Sequence, residues 1–281
     1  MIAYPRRGPM TQGTIFACGV AEEYDGCPVH GVVITARCDV AHDKVRVHSY
    51  LPVVTLDDWL HRDGRIALAH RLLKEATGRM QAALRDAHYS PTVLETEQPQ
   101  VVLESLFPSG SDRSLRARFE KGCEHFDLAC RSLASAPSHK MCLDVARQAP
   151  KLRDGLVSEL VHNKLSGFYF LSAIEPHGLD LGYVVLVREI RAVPREVALA
   201  IADGLDGAFF DDMCRASPSL RDRLRIRPGE FAYPVGQLLP PHLEHLLQAF
   251  AFLFSRIGLP DPDRAYAEGL WARQPTVISA G

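Results

Sequence analysis

The sequence predicts an α+β fold in which β-rich segments at the two ends of the chain are separated by a large helical insertion. Turn-bounded, β-branched runs cluster before residue 56 and return after residue 164, while the apolar residues between them recur at three- and four-residue steps. Composition supports an ordinary globular class: 47% hydrophobic and 23% charged residues fit neither a disordered nor a fibrous chain. At 281 residues the chain lies between one elaborated domain and two, and one domain with an insertion is expected. Its parts are residues 1–56, a helical insertion over 57–163, and a second β-rich part with C-terminal helices over 164–281.

Taken in order, Thr14 to Val20 reads as a first strand, apolar and bounded by Gly13 and the Glu22–Gly26 loop. Val29 to Ala36 is a β-branched run suited to burial on both faces, leading directly to Cys38-Asp39, and Val45 to Val54 follows a polar connection. Between Ile66 and Ala87, residues Ala69, Leu72, Leu73, Ala76, Met80, Ala83, Leu84 and Ala87 form one helical face. Pro99 can open a helix through Leu106, since its missing N–H costs little in a first turn. Further helices are expected over Ser114–Leu133 and Leu152–His162.

Strand chemistry returns at Gly167–Leu171 and Tyr183–Val187, and Pro194 opens a helix through Ala202. Glu230 to Val235 reads as a strand that Pro234 restricts to an edge or an end. Pro240 and Pro241 start a last helix that Gly258 and Pro260 close. Its stripe of Leu243, Leu246, Leu247, Phe250, Phe254 and Ile257 is widened by Ala249, Ala251, Phe252 and Leu253. Such a helix needs cover on several sides, either between the β-rich unit and the insertion or in a homodimer through residues 241–257.

A net charge of −2 argues against a broad electrostatic grip on nucleic acid and leaves only a local basic patch. No run approaches the ~20 apolar residues of a membrane helix, and Met1–Met10, broken by Pro5 and Pro9, does not read as a signal peptide. Seven cysteines without a compact framework read as reduced thiols in a cytoplasmic protein. With no glycine-rich phosphate loop, Gly-x-Ser-x-Gly elbow or His-Glu-x-x-His motif, no cofactor is expected.

The strand after Gly13, the run Gly31 to Thr35, the segment Leu51-Pro52-Val53-Val54-Thr55 and the late run Val185 to Val193 together resemble the MazF/PemK family. The resemblance lies at the two ends of the chain and leaves Asp57 to Asn163 as an unmatched insertion. It implies a small SH3-like barrel with a terminal helix and, as in many members, a metal-independent endoribonuclease toxin. Gly31-Val32-Val33-Ile34-Thr35 followed by Cys38-Asp39 also resembles bacterial proteins of toxin and phage-defence loci, which implies RNA or a protein of the same system as partner. The family's catalytic Arg is absent, because the corresponding region reads Val29-His30-Gly31, while Thr55 is the counterpart of its catalytic Thr or Ser. His30 is a candidate replacement, since an imidazole titrates near neutral pH and can serve as acid or base; otherwise it is a surface histidine at a strand start.

If the protein cleaves RNA, the expected site gathers Cys38, Asp39, His30 and Thr55 with Arg188 and Arg191 around one groove. Arg37 and Lys44 would stabilise a thiolate, with His42 or His48 as its base if the next strand folds back. The competing reading makes Cys38 a small packed hydrophobe and Asp39 a turn residue. Arg37, Arg188 and Arg191 suit phosphate recognition, or else ordinary ion pairing with neighbours such as Glu189. Arg221, Arg223, Arg225 and Arg227 would line one face if Leu224 and Ile226 point inward on a strand; the alternative is a solvated turn before Pro228-Gly229.

Cys27-x-x-His30 and Cys38-x-x-x-His42 have zinc-like local spacings, but an extended strand from His30 to Cys38 spans roughly 26 Å. Ligands of one zinc lie within ~2.3 Å of it, so the pairs do not share an ion. Cys123, His125 and Cys130 do not converge on one helix face, His242 and His245 read as surface residues, and no metal site is expected. The class opposed to an enzyme is a non-catalytic adaptor that binds another protein of the same system.

Overall fold

The computed structural model describes residues 1–41, 44–178 and 181–255. Strands β1 (Ile2–Ala3), β2 (Thr14–Phe16) and β3 (Val29–Val33) precede a short helix α1 (Arg37–Ala41) and the long strand β4 (Val47–Thr55). The insertion contains α2 (Leu56–Trp59), a π-helical turn (Leu60–Gly64), α3 (Arg65–Asp86), α4 (Val93–Thr96), α5 (Pro99–Leu106), α6 (Arg113–Ala134), α7 (His139–Gln148) and α8 (Pro150–Val161). The chain then forms β5 (Phe168–Leu171), β6 (Tyr183–Leu186), β7 (Arg191–Pro194), α9 (Arg195–Asp203), β8 (Leu205–Asp206) and α10 (Gly207–Ala216). A 3₁₀ turn (Pro218–Asp222), β9 (Phe231–Ala232), β10 (Pro234–Leu238) and α11 (His242–Ser255) complete the described elements.

The expected α+β class holds, and the opening and closing β-segments share one curled antiparallel half-barrel sheet of order β1-β10-β2-β3-β4-β6-β5. β4 joins the two parts. Tyr50 to Val54 pair with β3 along one edge; on the other, Val47–Tyr50 pair with β7 and Val53–Thr55 with β6. Pro52 sits inside this central strand without cost. Ile34 donates to the Ser49 carbonyl at 2.9 Å, and the two-residue alternation from that pair makes Gly31–Pro52 a non-hydrogen-bonded pair. The N–H that proline lacks would point to the other edge, where the ladder to β6 has ended and that to β7 has not begun.

Burial on both faces of β4 divides the core. Leu51 and Val53 pack with Ile15, Val32, Val185 and the α11 residues Leu243 and Leu246. On the opposite face Val54 meets Trp59, Leu68, Leu72 and Leu160 of the insertion, and Tyr50 meets Val197, Ile201 and Phe210 of α9 and α10. The last helix therefore does not lie between sheet and insertion, as one sequence expectation had it, but on the face away from the insertion. Phe252 and Phe254 on its outer side are 61% and 52% exposed, and Ile257, Gly258 and Pro260 lie outside the described residues.

Within the insertion, α3 packs along α6, and Arg65 at the start of α3 is buried. Its guanidinium donates to the carbonyls of Ser132 and of Ser135, the latter at 3.1 Å, at the C-terminal end of α6. Those carbonyls lack helical partners and carry the negative end of the helix dipole, so they offset the buried cation without a carboxylate.

Two strand boundaries depart from the sequence reading. β2 stops at Phe16 rather than Val20, because Cys18 takes a left-handed φ of 66°. β3 stops at Val33: Thr35 turns its hydroxyl to the backbone of Ser49, which donates to it at 2.8 Å, and a helical turn begins at Arg37. Cys38 and Asp39 are thus exposed residues of α1, not the end of a buried strand. Arg221 to Arg227 form no strand; the 3₁₀ turn leads into an irregular segment whose Leu224 is buried and whose arginines diverge to different partners. Helix α7 and strand β7 were not anticipated; they are short, ten and four residues long. Among the described residues no helix is long and apolar enough to cross a membrane.

Gly31 faces the rings of Phe16 and Tyr50, which meet edge to face at 5.0 Å. A Cβ on Gly31 would lie 2.5 Å from Phe16 and 2.6 Å from Tyr50. Gly31→Ala should therefore destabilise the fold by about 1–3 kcal/mol through overpacking. Urea unfolding checks this, and a wild-type midpoint would show that the rings do not close over Gly31.

Candidate functional site

A cleft of about 380 Å³ opens where the first and last β-segments meet, with Ala17 to Val20 and Cys27 to His30 on one side and Arg225 to Tyr233 on the other. Backbone bonds join the walls: Arg225 donates to the Cys18 carbonyl at 3.0 Å, and Ala17 to the Tyr233 carbonyl at 3.0 Å. Behind them the Tyr50 hydroxyl accepts from Val20 N at 3.1 Å and donates to the Arg223 carbonyl at 3.0 Å. One buried phenol of the central strand thus fixes both sides. Phe231 and Tyr233, alternating about the buried Ala232, expose 53% and 47% of their surface at the rim. Arg225 pairs with Asp25 at 2.5 Å, and Arg227 with Glu230 at 3.9 Å, in solvent where such pairs hold weakly.

Burial favours the neutral forms of four side chains in the cleft, Cys18, Tyr24, Cys27 and His30. Burial pushes the Cys18 thiol up to about 11, with Glu230 adding to the shift, and raises the Cys27 thiol as well. His30 is held neutral by burial, its pKa lowered to about 4, and its Nδ1 has no hydrogen-bond partner among the described residues. Tyr24 at the base donates to Asp63 at 2.9 Å and is raised by burial and by that carboxylate. None of these groups shuttles a proton easily near pH 7.

The single groove expected around Cys38, Asp39, His30 and Thr55 is not formed, for topological reasons. Cys38 lies in α1 after β3 and His30 is the second residue of β3, paired with Val53 two residues before Thr55, so Cys38 and His30 lie towards opposite ends of the strand. Asp39 borders a shallow hollow with Lys44 and Arg46, while His30 lines the cleft and stands 6.1 Å from the Tyr183 ring. His48, a candidate base, is buried in β4, its Nδ1 without a hydrogen-bond partner among the described residues, and His42 lies outside them. Thr55 caps α2: its Oγ1 accepts from Asp58 N at 3.0 Å and donates to Asp58 Oδ2 at 2.6 Å.

The arginines also separate. Arg37 is exposed on α1. Arg188 pairs with Asp63 and lies 4.8 Å over the Phe168 ring, and Arg191 bonds Glu189 at 2.6 Å. Arg191 and Arg223 border a second hollow with Ser219 and Asp222, while Arg225 and Arg227 share the cleft with His30.

Three residues of the insertion, Asp57, His61 and His139, bring one ligand atom each within 4.8 Å of one another. His61 Nε2 lies 2.5 Å from His139 Nδ1, and His61 Nδ1 lies 3.5 Å from Asp57 Oδ2. The Asp57-x-x-x-His61 spacing marks one helix face in the sequence, but His139 is 78 residues further on and no local pattern links it. The rim aromatics were equally overlooked, although Arg225-x-Arg227 and Phe231-x-Tyr233 place cations and rings within nine residues of one another.

The chain is thus an α+β scaffold with a half-barrel sheet and an open cleft where its two ends meet. No protein family, curated protein or solved structure matches it.

The His30 environment has a pH consequence. Between about 6.5 and about 4 the unfolded chain binds a proton at His30 that the folded chain refuses, so folding stability falls as pH drops through that window. The loss from His30 between pH 7 and pH 5 should be about 2 kcal/mol. Urea midpoints at the two pH values should differ less in His30→Leu than in wild type, whereas equal differences would place the titration elsewhere.

Proposed function

We propose that the protein is a nucleic-acid-binding module that holds a single-stranded segment in the cleft between residues 17–30 and 225–233 without cutting it. RNA is the ligand implied by the MazF/PemK resemblance, and a toxin or defence locus its setting. The observation that carries the reading is the alignment of Arg225 and Arg227 with the exposed rings of Phe231 and Tyr233 along one wall. Guanidinium groups meet phosphates, and aromatic rings stack on bases of any sequence, which suits a chain that lacks overall positive charge. Weak surface pairs with Asp25 and Glu230 are readily exchanged for phosphate. Binding is favoured over cleavage because the cleft offers no acid or base matched to neutral pH, and because Cys38 and Asp39 stand apart from it.

A second reading, the protein adaptor, draws on the exposed Phe252 and Phe254 of α11, on the opposite side of the sheet from the insertion.

Fluorescence anisotropy with labelled single-stranded RNA tests the first reading. Wild type should bind with salt-dependent affinity, and Phe231→Ala and Tyr233→Ala should each weaken binding about 5- to 100-fold. Arg227→Ala should flatten the salt dependence by about one phosphate contact. The RNA should emerge intact. Absence of binding, or affinity indifferent to both aromatic substitutions, contradicts the reading; cleavage abolished by Asp39→Ala would restore the endoribonuclease.

A further inference from the structure

We infer that Asp57, His61 and His139 form a binding site for a divalent first-row transition ion, zinc being the best chemical fit, where the π-helical turn meets the first turn of α7. Two imidazoles and a carboxylate are a nitrogen-rich, borderline-soft donor set, which selects zinc and its neighbours over magnesium or calcium, whose shells are built from oxygen. The three donor atoms already lie within 4.8 Å of one another. At zinc–ligand lengths of ~2.0–2.2 Å, tetrahedral donors stand roughly 3.3 Å apart, so the 2.5 Å contact between the two rings opens by under about 1 Å and the carboxylate, within 4.8 Å, closes by up to about 1.5 Å.

The framework around the cluster is fixed more firmly than an accidental surface contact. Arg65 donates its Nε to the His61 carbonyl at 3.2 Å while its guanidinium is anchored on the end of α6. Cys142, one turn beyond His139, donates its Sγ to the Leu60 carbonyl at 3.3 Å, tying α7 to the π-helical turn. That bond commits the thiol to the Leu60 carbonyl. π-Helical turns recur where helices are distorted to aim side chains, and this one follows Asp57 and includes His61. Asp57 is 78% exposed and His139 is exposed as well, so an ion has a path from solvent. Three protein ligands leave a fourth position for water, the pattern of a zinc site that is not closed.

None of the three residues lines the cleft, so this site stands or falls independently of nucleic-acid binding. Without an ion, the same atoms form a hydrogen-bond chain from His139 through His61 towards Asp57, and experiment separates the two roles.

The test is isothermal titration of the chelator-treated full chain with zinc chloride, with cobalt(II) as a spectroscopic stand-in. The expected result is one equivalent bound at micromolar affinity or tighter, a visible cobalt band of four-coordinate intensity, and a rise in Tm on zinc addition. His139→Ala, at an exposed position, and the near-isosteric Asp57→Asn should each weaken zinc binding by at least about tenfold with an unchanged circular dichroism spectrum. Cys142→Ser should bind zinc within about twofold of wild type. Absence of zinc binding, binding indifferent to His139→Ala and Asp57→Asn, or binding lost in Cys142→Ser would each overturn the assignment.

Discussion

β4 is the constraint on which the rest of the molecule depends. Its nine residues carry β3 on one edge and both β6 and β7 on the other, so a segment from before the insertion and two from after it are held by a single strand. The ladder tolerates Pro52 only because that residue falls where neither neighbour requires its N–H. Close approach of Phe16 and Tyr50 over Gly31 seals the same region from one side. A chain interrupted by more than a hundred residues can thus rebuild one sheet: the insertion leaves β4 after Thr55 through α2, and β6 comes back antiparallel beside Val53–Thr55.

The functional geometry follows from that arrangement. Because β10 inserts between β1 and β2, the residues just before it, Arg225 to Tyr233, are brought against the β2–β3 connection, and the cleft is built from both β-rich parts of the chain. Tyr50 links this cleft to the central strand through its two hydrogen bonds. Burial that stabilises the cleft walls also silences their titratable groups: His30 stays neutral and the Cys18 thiol protonated at pH 7. The same physics that shapes the cleft therefore weights it towards holding a ligand.

Much of the architecture was legible in sequence. The α3 face from Ala69 to Ala83 and the short helix opened by Pro99 could be read because apolar spacing and proline geometry act locally. Pro234 was confined to a strand end, where it stands as the first residue of β10. Strand ends were less legible, since they depend on single events: a left-handed Cys18, or the Thr35 hydroxyl reaching across to Ser49. The run Ile34-Thr35 still looks like strand, and so Cys38-Asp39 was read as a strand-end site when it begins a helix. Thr55-x-x-Asp58 is a readable capping signature at the position the resemblance assigned to a catalytic Thr or Ser. His139 was beyond any local pattern, because only the packing of α7 brings it to His61.

The union of the two chain ends in one sheet is the claim most open to direct measurement. In a methyl-labelled, otherwise deuterated sample, nuclear Overhauser contacts should connect Val54 with Val184 and Val53 with Val185 across β4–β6, and Ile15 with the Gly236 backbone across β2–β10. If β4 showed contacts to β3 alone, and β2 none to β10, the two β-segments would belong to separate sheets, and the shared cleft would not exist.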